Sequence, residues 1–364
     1  MSQEFHIEYV NLERERDVAE IRQFLERFGL GFEPGGEAGA TFTVALRDQD
    51  GKLVGTGSSH GEILRNIAVD ESIQGAGLTA AILSALMQDM ARKGILHYFI
   101  FTRPEKSFLF ANLGFTEIAR AEPYAALLES GLGSVASYCD GITKAAARLF
   151  EERGAERAGK RAGKRAALVI NGNPFTKGHR ALIEKAAAEC SGVIVFVVSE
   201  DRSLFPFADR LRLIREGVAD LPNVVVAEGG KYIISAATFP TYFTREQDHV
   251  KAQTRLDITL FAKQIAPRLG ITDRYVGEEP YCEVTAEYNE AMRELLPAAG
   301  IAMHVVPRFA AGGGIISAST VRDAIRENNR PLLETLLPPV TLEYLQSENG
   351  KAVIERIKHS DARH

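Results

Sequence analysis

The sequence predicts two consecutive α/β domains, the second of them a doubly wound, Rossmann-like sheet of parallel strands. One indication is the length, because 364 residues exceed the size of a typical single domain. Another is the stretch 153–166, where six basic residues alternate with Gly and Ala and little can be buried. The third is the regular alternation of apolar strands and helices after that stretch, which is typical of right-handed crossovers between parallel strands.

The first region combines strands and helices in the manner of a mixed sheet. Hydrophobic periodicity predicts a helix over 17–28, strands over 41–48, 53–60, 62–70 and 95–102, and a helix over 78–93. From these patterns we assign a first domain to 1–130, a helical and basic linker to 131–165, a second domain to 166–350 and a C-terminal tail to 351–364. The basic linker has one functional alternative, a docking strip for an acidic partner.

In the second region the strands are short, apolar and evenly spaced. We expect strands over 166–170, 192–199, 223–229 and 273–277, with helices over 179–190 and 209–221 and a long helical stretch before the last strand. In a sheet of this kind ligands bind at the carboxyl ends of the strands. The segment "NGNPFTKGH" lies at that end of the first strand.

Composition narrows the class of protein. A net charge of −5 and a pI of about 6.0 argue against a general nucleic-acid surface, so any anion site has to be local. The three cysteines form no CxxC pair and fit neither a disulfide framework nor a zinc site; we interpret Cys139, Cys190 and Cys282 as buried apolar residues in a reducing compartment. The charged first residues and short apolar runs predict a cytoplasmic protein without a secretory signal or membrane partner.

The loop after the first strand of the second region has the features of a phosphate site. Gly178 allows a tight turn into the next helix, and the N-terminus of a helix offers unpaired N–H groups and a positive dipole end. His179 would then point into the same anion pocket. A His at the start of a helix can also simply cap it or pack, and the loop alone does not decide between the two.

A second helix start repeats the pattern. The segment "ISASTVRDAI", which ends at Ile325, follows a glycine run and places the hydroxyls of Ser317, Ser319 and Thr320 and the cation of Arg322 near a helix N-terminus. A well-capped helix with a solvated arginine would explain one serine. It would not explain two phosphate-type helix starts in one α/β domain.

These two motifs resemble the paired signature of the nucleotidyltransferase superfamily. In that superfamily a His/Thr-x-Gly-His turn and an Ile-Ser-Ser-Thr-like turn hold the triphosphate of ATP or CTP. Here Thr176 takes the first position of the first turn and His179 the last, and Ala318 stands where a second serine is often found. The resemblance implies a nucleotidyltransferase domain in the second region.

Three longer segments resemble the [citrate (pro-3S)-lyase] ligases. They are "EDRSLFPFADRLRLIREG", "KYIISAATFPTYF" and "VGEEPYCEVTAEYNEAMRELL". With the two turns, the resemblance covers most of 166–345. It implies an acid–thiol ligase that uses ATP to activate acetate as acetyl-adenylate and then acetylates the prosthetic-group thiol of the acyl-carrier subunit of citrate lyase. The products would be pyrophosphate and AMP, and the result would be an active citrate lyase.

The resemblance also implies the roles of individual residues. His179, Thr176 and Arg322 would be catalytic, with Mg²⁺ bridging the phosphates, because Mg²⁺ favours substrate oxygens over a dedicated protein cage. Predicted ATP contacts are Asn173, Pro174, Phe175, Thr176, Gly178, His179, Ser317, Ser319, Thr320 and Arg322, with Lys177 and Arg210 either further contacts or plain surface cations. For the acetate pocket we consider Tyr232, Phe239 and Tyr242, which could equally be aromatic core.

The first region resembles the Gcn5-related N-acetyltransferases. Their pyrophosphate loop corresponds to Gln74, Gly75, Ala76 and Gly77 at a helix start, and "FLFANLGF" matches a helix that commonly ends in Leu-Gly-Phe. Thr79 replaces the usual small residue, and Phe110 stands where many acetyltransferases carry a tyrosine that protonates the departing thiolate. Our hypothesis is that this domain holds the CoA-like arm of the carrier and grips its pyrophosphate with Gln74, Gly75, Ala76 and Gly77.

Three other functions stay open at this point. A plain nucleotidyltransferase could join AMP or CMP to a phosphorylated acceptor, as in pantetheine-phosphate adenylylation. A bifunctional chain could have a true N-acetyltransferase as its first domain, although the missing hydroxyl at Phe110 counts against it. A non-catalytic binding module would leave two phosphate turns without use.

Overall fold

The chain divides into two compact units. The structure is a computed structural model, and it describes residues 4–36, 39–73, 77–153, 163–199, 203–233, 248–278, 283–311 and 314–359. Within them, one unit comprises the chain up to Tyr138 and the helix His249–Leu260, and the other comprises the remainder from Cys139 onward. Both units bury apolar clusters of their own.

The N-terminal unit is built on a mixed sheet of seven strands. Their order is β1-β2-β3-β4-β5-β7-β6, and the β4–β5 pair is parallel while the others are antiparallel. The elements are β1 (His6–Tyr9), α1 (Glu15–Glu26), β2 (Phe42–Arg47), β3 (Leu53–His60), β4 (Ile63–Val69), α2 (Leu78–Arg92), β5 (His97–Thr102), α3 (Ser107–Ala111), β6 (Thr116–Ala121) and β7 (Ala125–Gly131). The predicted mixed sheet with helices is confirmed.

Helix α2 packs on this sheet through a regular apolar stripe. Leu78, Ile82, Leu86 and Met90 recur every fourth residue and are buried. The helix comes very close to β3, since a Cβ added to Gly57 would lie 2.5 Å from Ile82 Cγ2. A glycine is therefore required at this crossing.

Strands β4 and β5 are paired over only part of their length in the described chain. Ile63 pairs with Phe99 and Leu64 pairs with Ile100, but β4 continues to Val69. The register of β4 against β3 shifts beside Asn66, which has a φ of 55°.

One helix of the N-terminal unit comes from far along the chain. Helix α7 (His249–Leu260) contacts β6 and β7 and buries Ala252, Leu256 and Leu260, which are spaced four residues apart. The predicted domain range 166–350 placed this segment in the second domain. The apolar stripe of α7 packs against the sheet of the N-terminal unit.

The C-terminal unit contains a five-stranded parallel sheet in the order β10-β9-β8-β11-β12. The elements from the linker onward are α4 (Val135–Arg153), β8 (Arg165–Ile170), α5 (Lys177–Glu189), β9 (Gly192–Val197), α6 (Phe207–Gly217), β10 (Val224–Glu228), α8 (Ala266–Leu269), β11 (Asp273–Gly277), α9 (Glu283–Ala298) and β12 (Ala302–Val306). The predicted doubly wound parallel sheet is confirmed, with β12 as an additional edge strand. Residues 154–162 of the basic linker lie outside the described residues.

The strand order reverses at β8. From β8 the chain first winds outward through β9 and β10, and then returns to the other side of β8 to form β11 and β12. Adjacent loops leave the sheet in opposite directions at such a point, which opens a crevice at the carboxyl ends of the strands. The loop 171–176 after β8 and the residues after β11 border this crevice.

Four helices follow the sheet, and the last includes residues predicted to be a tail. They are α10 (Ala318–Arg326), α11 (Arg330–Leu336), α12 (Pro339–Gln346) and α13 (Glu348–His359). Val353 and Ile357 are fully buried in the core of the unit, so the segment 351–359 is packed helix. Every helix in the described parts of the chain is too short or too polar to cross a bilayer.

Candidate active site at two helix starts

Helix α5 begins with a reciprocal cap made by Thr176 and His179. The backbone N–H of His179 donates to Thr176 Oγ1 at 3.3 Å, and the backbone N–H of Thr176 donates to His179 Nδ1 at 3.1 Å. Each residue thereby satisfies an N–H group that the first turn leaves without a partner. The Thr176 hydroxyl is buried in this cap, which makes it the group that orients His179.

The cap fixes which nitrogen of His179 carries the proton. A backbone N–H can only donate, so Nδ1, which accepts from Thr176, is the unprotonated nitrogen of the neutral ring. The proton is on Nε2, which makes no hydrogen bond to any described residue. His179 therefore caps with one edge of the ring and presents a hydrogen-bond donor with the other.

Burial keeps His179 neutral. Desolvation, with a smaller contribution from the positive charge of Arg308, lowers the pKa of His179 from 6.5 to about 4. At pH 7 the ring is thus a neutral donor. The two interpretations left open by the sequence, a cap and a ligand group, are compatible in one residue.

Buried contacts hold the loop before this cap. Asn173 Oδ1 accepts from the N–H of Phe205 at 3.0 Å, and the carbonyl of Phe175 accepts from Thr341 Oγ1 at 3.0 Å. The Phe175 ring is fully buried against α6, where a Cβ on Gly217 would lie 2.4 Å from the ring. Asn173, Pro174 and Phe175 are predicted ATP contacts, and in the structure Asn173 and Phe175 anchor the loop.

Arg210 is a structural cation. Its side chain is completely buried, and its Nη1 donates to the carbonyls of Asn171 and Val198, both at 2.8 Å. These carbonyls end β8 and β9, so Arg210 ties two strand ends together. The alternative of a plain surface cation is wrong, because Arg210 is buried. The sequence alone does not show that α6 turns this arginine inward.

Helix α10 starts with a cluster of hydroxyls. Ser317 is the cap, and its Oγ accepts from the N–H of Thr320 at 3.0 Å. The same oxygen lies 2.9 Å from Ser319 Oγ and 2.7 Å from Thr320 Oγ1. Three hydroxyls and the positive end of the helix dipole thus converge on one spot.

The two helix starts lie side by side. Arg322 Nη1 donates to the carbonyl of Asn173 at 2.7 Å, which joins α10 to the loop before α5. A Cβ on Gly178 would lie 3.3 Å from Ile316 Cγ2, so the two turns are also in van der Waals contact. The structure therefore brings together the motifs that the sequence separates by more than a hundred residues.

Arg322 is buried, which excludes the alternative of a solvated arginine. Its side chain is 5% exposed, and desolvation lowers its pKa from the ordinary value. Replacement of Arg322 by Ala should remove a charge-assisted hydrogen bond worth about 1.5–3 kcal/mol. We expect a lower melting temperature together with weaker ATP binding, as measured by thermal unfolding and by titration calorimetry. An Arg322→Ala protein with unchanged melting and ATP affinity would contradict this role.

The other predicted site residues have contacts of their own or lie outside the described residues. Lys177 Nζ donates to the carbonyl of Glu334 in α11 at 2.8 Å. Tyr232 is buried. Gly77 caps α2 in the left-handed conformation, with a φ of 72°. The remaining predicted residues, Gln74, Gly75, Ala76, Phe239, Tyr242 and Cys282, lie outside the described residues.

The described residues do not fit a protein-held metal centre. Within them, no three His, Cys, Asp or Glu side chains come together as ligands for an ion. The polar side chains described at the starts of α5 and α10 are a histidine, hydroxyls and arginines; they can donate to anions, and they include no carboxylate, the ligand that Mg²⁺ most often takes from a protein. Binding of Mg²⁺ through phosphate oxygens stays a prediction.

Comparison with known proteins assigns the family. Residues 165–345 match the family described as citrate lyase ligase C-terminal domain. The chain is also 36% identical, over 338 residues that cover 91% of each protein, to the [citrate [pro-3S]-lyase] ligase of Escherichia coli strain K12. This chain belongs to the citrate lyase ligase family.

Membership of the citrate lyase ligase family makes the chain an enzyme, a ligase, and the family match spans the whole site from Asn173 to Arg322. A phosphopantetheine adenylyltransferase of Shouchella clausii is 28% identical over 137 residues, which are 34% of this chain and 86% of the relative. The solved structure of the ribosomal-protein-S18-alanine N-acetyltransferase from Escherichia coli covers 36% of this chain and 96% of its own, at 19% identity and a TM-score of 0.30.

Sequence reasoning missed one residue of this citrate lyase ligase. Arg308 follows β12, and its charge adds to the effect of burial in lowering the pKa of the His179 imidazole. The signal in the sequence is weak, because β12 was not predicted and a single arginine after a short apolar segment has no motif around it.

Proposed function

We propose that this enzyme activates acetate with ATP and transfers the acetyl group to the thiol of a CoA-like prosthetic group on the acyl-carrier subunit of citrate lyase. The observation that carries the proposal is the 36% identity, across nine-tenths of both chains, to a protein named [citrate [pro-3S]-lyase] ligase. The similarity of 137 residues of the chain to a phosphopantetheine adenylyltransferase supports the use of ATP as an adenylyl donor.

In the first step a carboxylate oxygen of acetate attacks the α-phosphorus of ATP. The bond between the α-phosphorus and the bridging oxygen breaks, and pyrophosphate leaves with its electron pair. Negative charge grows on the α-phosphate and on the leaving group, so the protein has to position the reactants and stabilise charge. The product is acetyl-adenylate, a mixed anhydride.

The two adjacent helix starts supply the donors for this step. His179 Nε2–H would donate to a phosphate oxygen, while Ser317, Ser319 and Thr320 would hold the distal phosphates at the N-terminus of α10. A neutral histidine suits this task because its Nε2 carries a proton at pH 7 and can donate it in a hydrogen bond. Thr176 and Arg322 would act by keeping His179 and the loop in place.

In the second step the thiol sulfur attacks the acetyl carbon of the adenylate. The bond from that carbon to the phosphate oxygen breaks, AMP leaves, a thioester forms, and the thiol proton passes to solvent or to AMP. AMP is a good leaving group, so the step does not need the acid that many acetyltransferases provide. Phe110, which is buried and has no hydroxyl, is compatible with that chemistry.

For the N-terminal unit we propose that it binds the CoA-like arm of the carrier. Gly77 starts α2 in a left-handed conformation, and a Cβ at this position would have no heavy atom within 4 Å among those considered. A helix start of this kind can accept a pyrophosphate through its N–H groups.

Pyrophosphate release by the purified protein tests the proposal. We expect release from ATP that depends on acetate and that turns over only when deacetylated citrate lyase is present as the thiol acceptor. Pyrophosphate release that does not depend on acetate or on the carrier, but that increases with a phosphorylated acceptor such as phosphopantetheine, would indicate a plain nucleotidyltransferase. Consumption of acetyl-CoA with an amine would instead identify an N-acetyltransferase.

A further inference from the structure

Arg308 lies at the same edge of the sheet as the two helix starts. It follows β12, whose carboxyl end is next to that of β11. The chain then folds back through a hairpin, β13 (Ala310–Ala311) and β14 (Gly314–Ile315), in which Ala310 pairs with Ile315. The N–H of Ile316 closes the hairpin by donating to the carbonyl of Phe309 at 2.9 Å. Arg308 is therefore held next to the residues that lead into Ser317.

The same hairpin brings Arg308 toward His179. Ile316, which is bonded to the neighbour of Arg308, packs against Gly178, and Gly178 directly precedes His179. The guanidinium is close enough for its charge to disfavour the protonated imidazole. The backbone path thus leads from Arg308 to the start of α5, and the charge of Arg308 acts on the His179 imidazole.

The guanidinium of Arg308 is fixed in orientation. Its Nε donates to the carbonyl of Glu278 at 2.8 Å, and the N–H of Glu278 donates to the carbonyl of Val306 at 2.9 Å. Glu278 directly follows β11, so Arg308 spans the ends of β11 and β12 on the border of the crevice. A preorganised arginine loses less entropy when it binds an oxyanion.

The ligand that this arrangement favours is a phosphate group. A fixed cation, a neutral imidazole N–H, three hydroxyls and two helix N-termini all donate hydrogen bonds or attract negative charge. Arg322, the cation predicted for this purpose, is buried with Nη1 on the carbonyl of Asn173. We propose that Arg308 binds the polyphosphate of ATP beside His179 and stabilises the departing pyrophosphate. The inference rests on the proposed function for its identification of the nucleotide.

Replacement of Arg308 tests the assignment. Loss of one positioned donor to a transition state typically costs about 10²–10³ in rate, so Arg308→Ala should lower kcat/KM for acetate-dependent pyrophosphate release by about that factor. Arg308→Lys should recover part of the loss, because it keeps the charge but not the planar fork. The control is Arg330→Ala on α11, whose side chain is 78% exposed and paired with Glu334; it should behave like wild type.

Binding of inorganic pyrophosphate separates this inference from the proposed function. By titration calorimetry without acetate, Arg308→Ala should bind pyrophosphate at least about tenfold more weakly than wild type, a loss of about 1.4 kcal/mol. Removal of the cation should also raise the pKa of His179, followed by NMR titration of the imidazole. Wild-type pyrophosphate affinity in Arg308→Ala, or no pyrophosphate binding by the wild-type chain, would overturn the inference. If Arg308→Ala binds pyrophosphate more weakly but the wild-type chain shows no acetate-dependent pyrophosphate release, the phosphate-binding role of Arg308 is upheld and the ligase reaction is refuted.

Discussion

Replacement of His179 by Ala or Asn is expected to slow acetate-dependent pyrophosphate release by about 10²–10³ while the protein stays folded. The reason is that the two ring nitrogens have different roles. Nδ1 accepts from the Thr176 N–H, and Nε2–H has no partner among the described residues. Asn is the sharper variant, because its side-chain oxygen can replace Nδ1 in the cap but nothing replaces Nε2–H. Initial rates at saturating ATP and acetate measure the effect.

A second variant separates the cap from the donor. Gln at position 179 can place an amide N–H near the position of Nε2 but loses the acceptor that caps α5, which is worth about 1 kcal/mol. We expect His179→Gln to be the more active and the less stable of the pair, and His179→Asn the reverse. Near wild-type turnover in His179→Asn would show that the histidine is only a cap.

The depressed pKa of His179 adds a dependence on pH to the same experiment. The unfolded chain takes up a proton near pH 6.5, whereas the folded chain takes it up only near pH 4. Folding is therefore unaffected by this group above about pH 6.5, and stability is lost as pH falls from about 6.5 to about 4. In His179→Asn this part of the acid destabilisation should disappear from melting curves recorded across that range.

Replacement of Gly77 by Leu is expected to leave acetyl-adenylate formation intact and to block acetyl transfer to the carrier. The φ of 72° at Gly77 is unfavourable for any residue with a Cβ, and the cost is about 1–2 kcal/mol. A side chain there would also cover the N–H groups at the start of α2. Since a displacement of about 1 Å can cost about 10²-fold in rate, transfer should fall by that order.

Gly94 provides the matched control at the other end of α2. Its φ is 79°, and a Cβ built on it has no heavy atom within 4 Å among those considered, as at Gly77. Gly94→Leu therefore carries the same backbone strain without covering a helix N-terminus, and both half-reactions should proceed at wild-type rates. Equal failure of the two half-reactions in Gly77→Leu would indicate a structural loop instead of an arm-binding site.

Much of the fold could be predicted because local patterns determine it. The short apolar strands and the helices between them specify a parallel sheet, and the glycine before His179 marks the turn at which a helix starts. The packing of α7 on the N-terminal unit and of α13 in the C-terminal core could not be predicted in this way. Their apolar stripes indicate helices, but only the tertiary structure determines which surface each stripe covers.

In the candidate site, the direction of single arginine side chains could not be predicted from the sequence either. The sequence identifies Arg210 and Arg322 as cations near phosphate motifs, but their direction depends on which face of α6 and α10 is buried. Both turn inward and bind backbone carbonyls. Arg308 has no motif, and its proposed role depends on a short hairpin after β12 that leads back to Ser317.

Exchange of labelled pyrophosphate into ATP, with and without acetate, tests the central claim most directly. It follows the first step in reverse and needs no carrier, so it reports on the C-terminal site alone. We predict exchange that requires acetate and falls by about 10² or more in His179→Asn. Exchange that proceeds equally without acetate, or that His179→Asn leaves unchanged, would contradict formation of an acetyl-adenylate at the two helix starts.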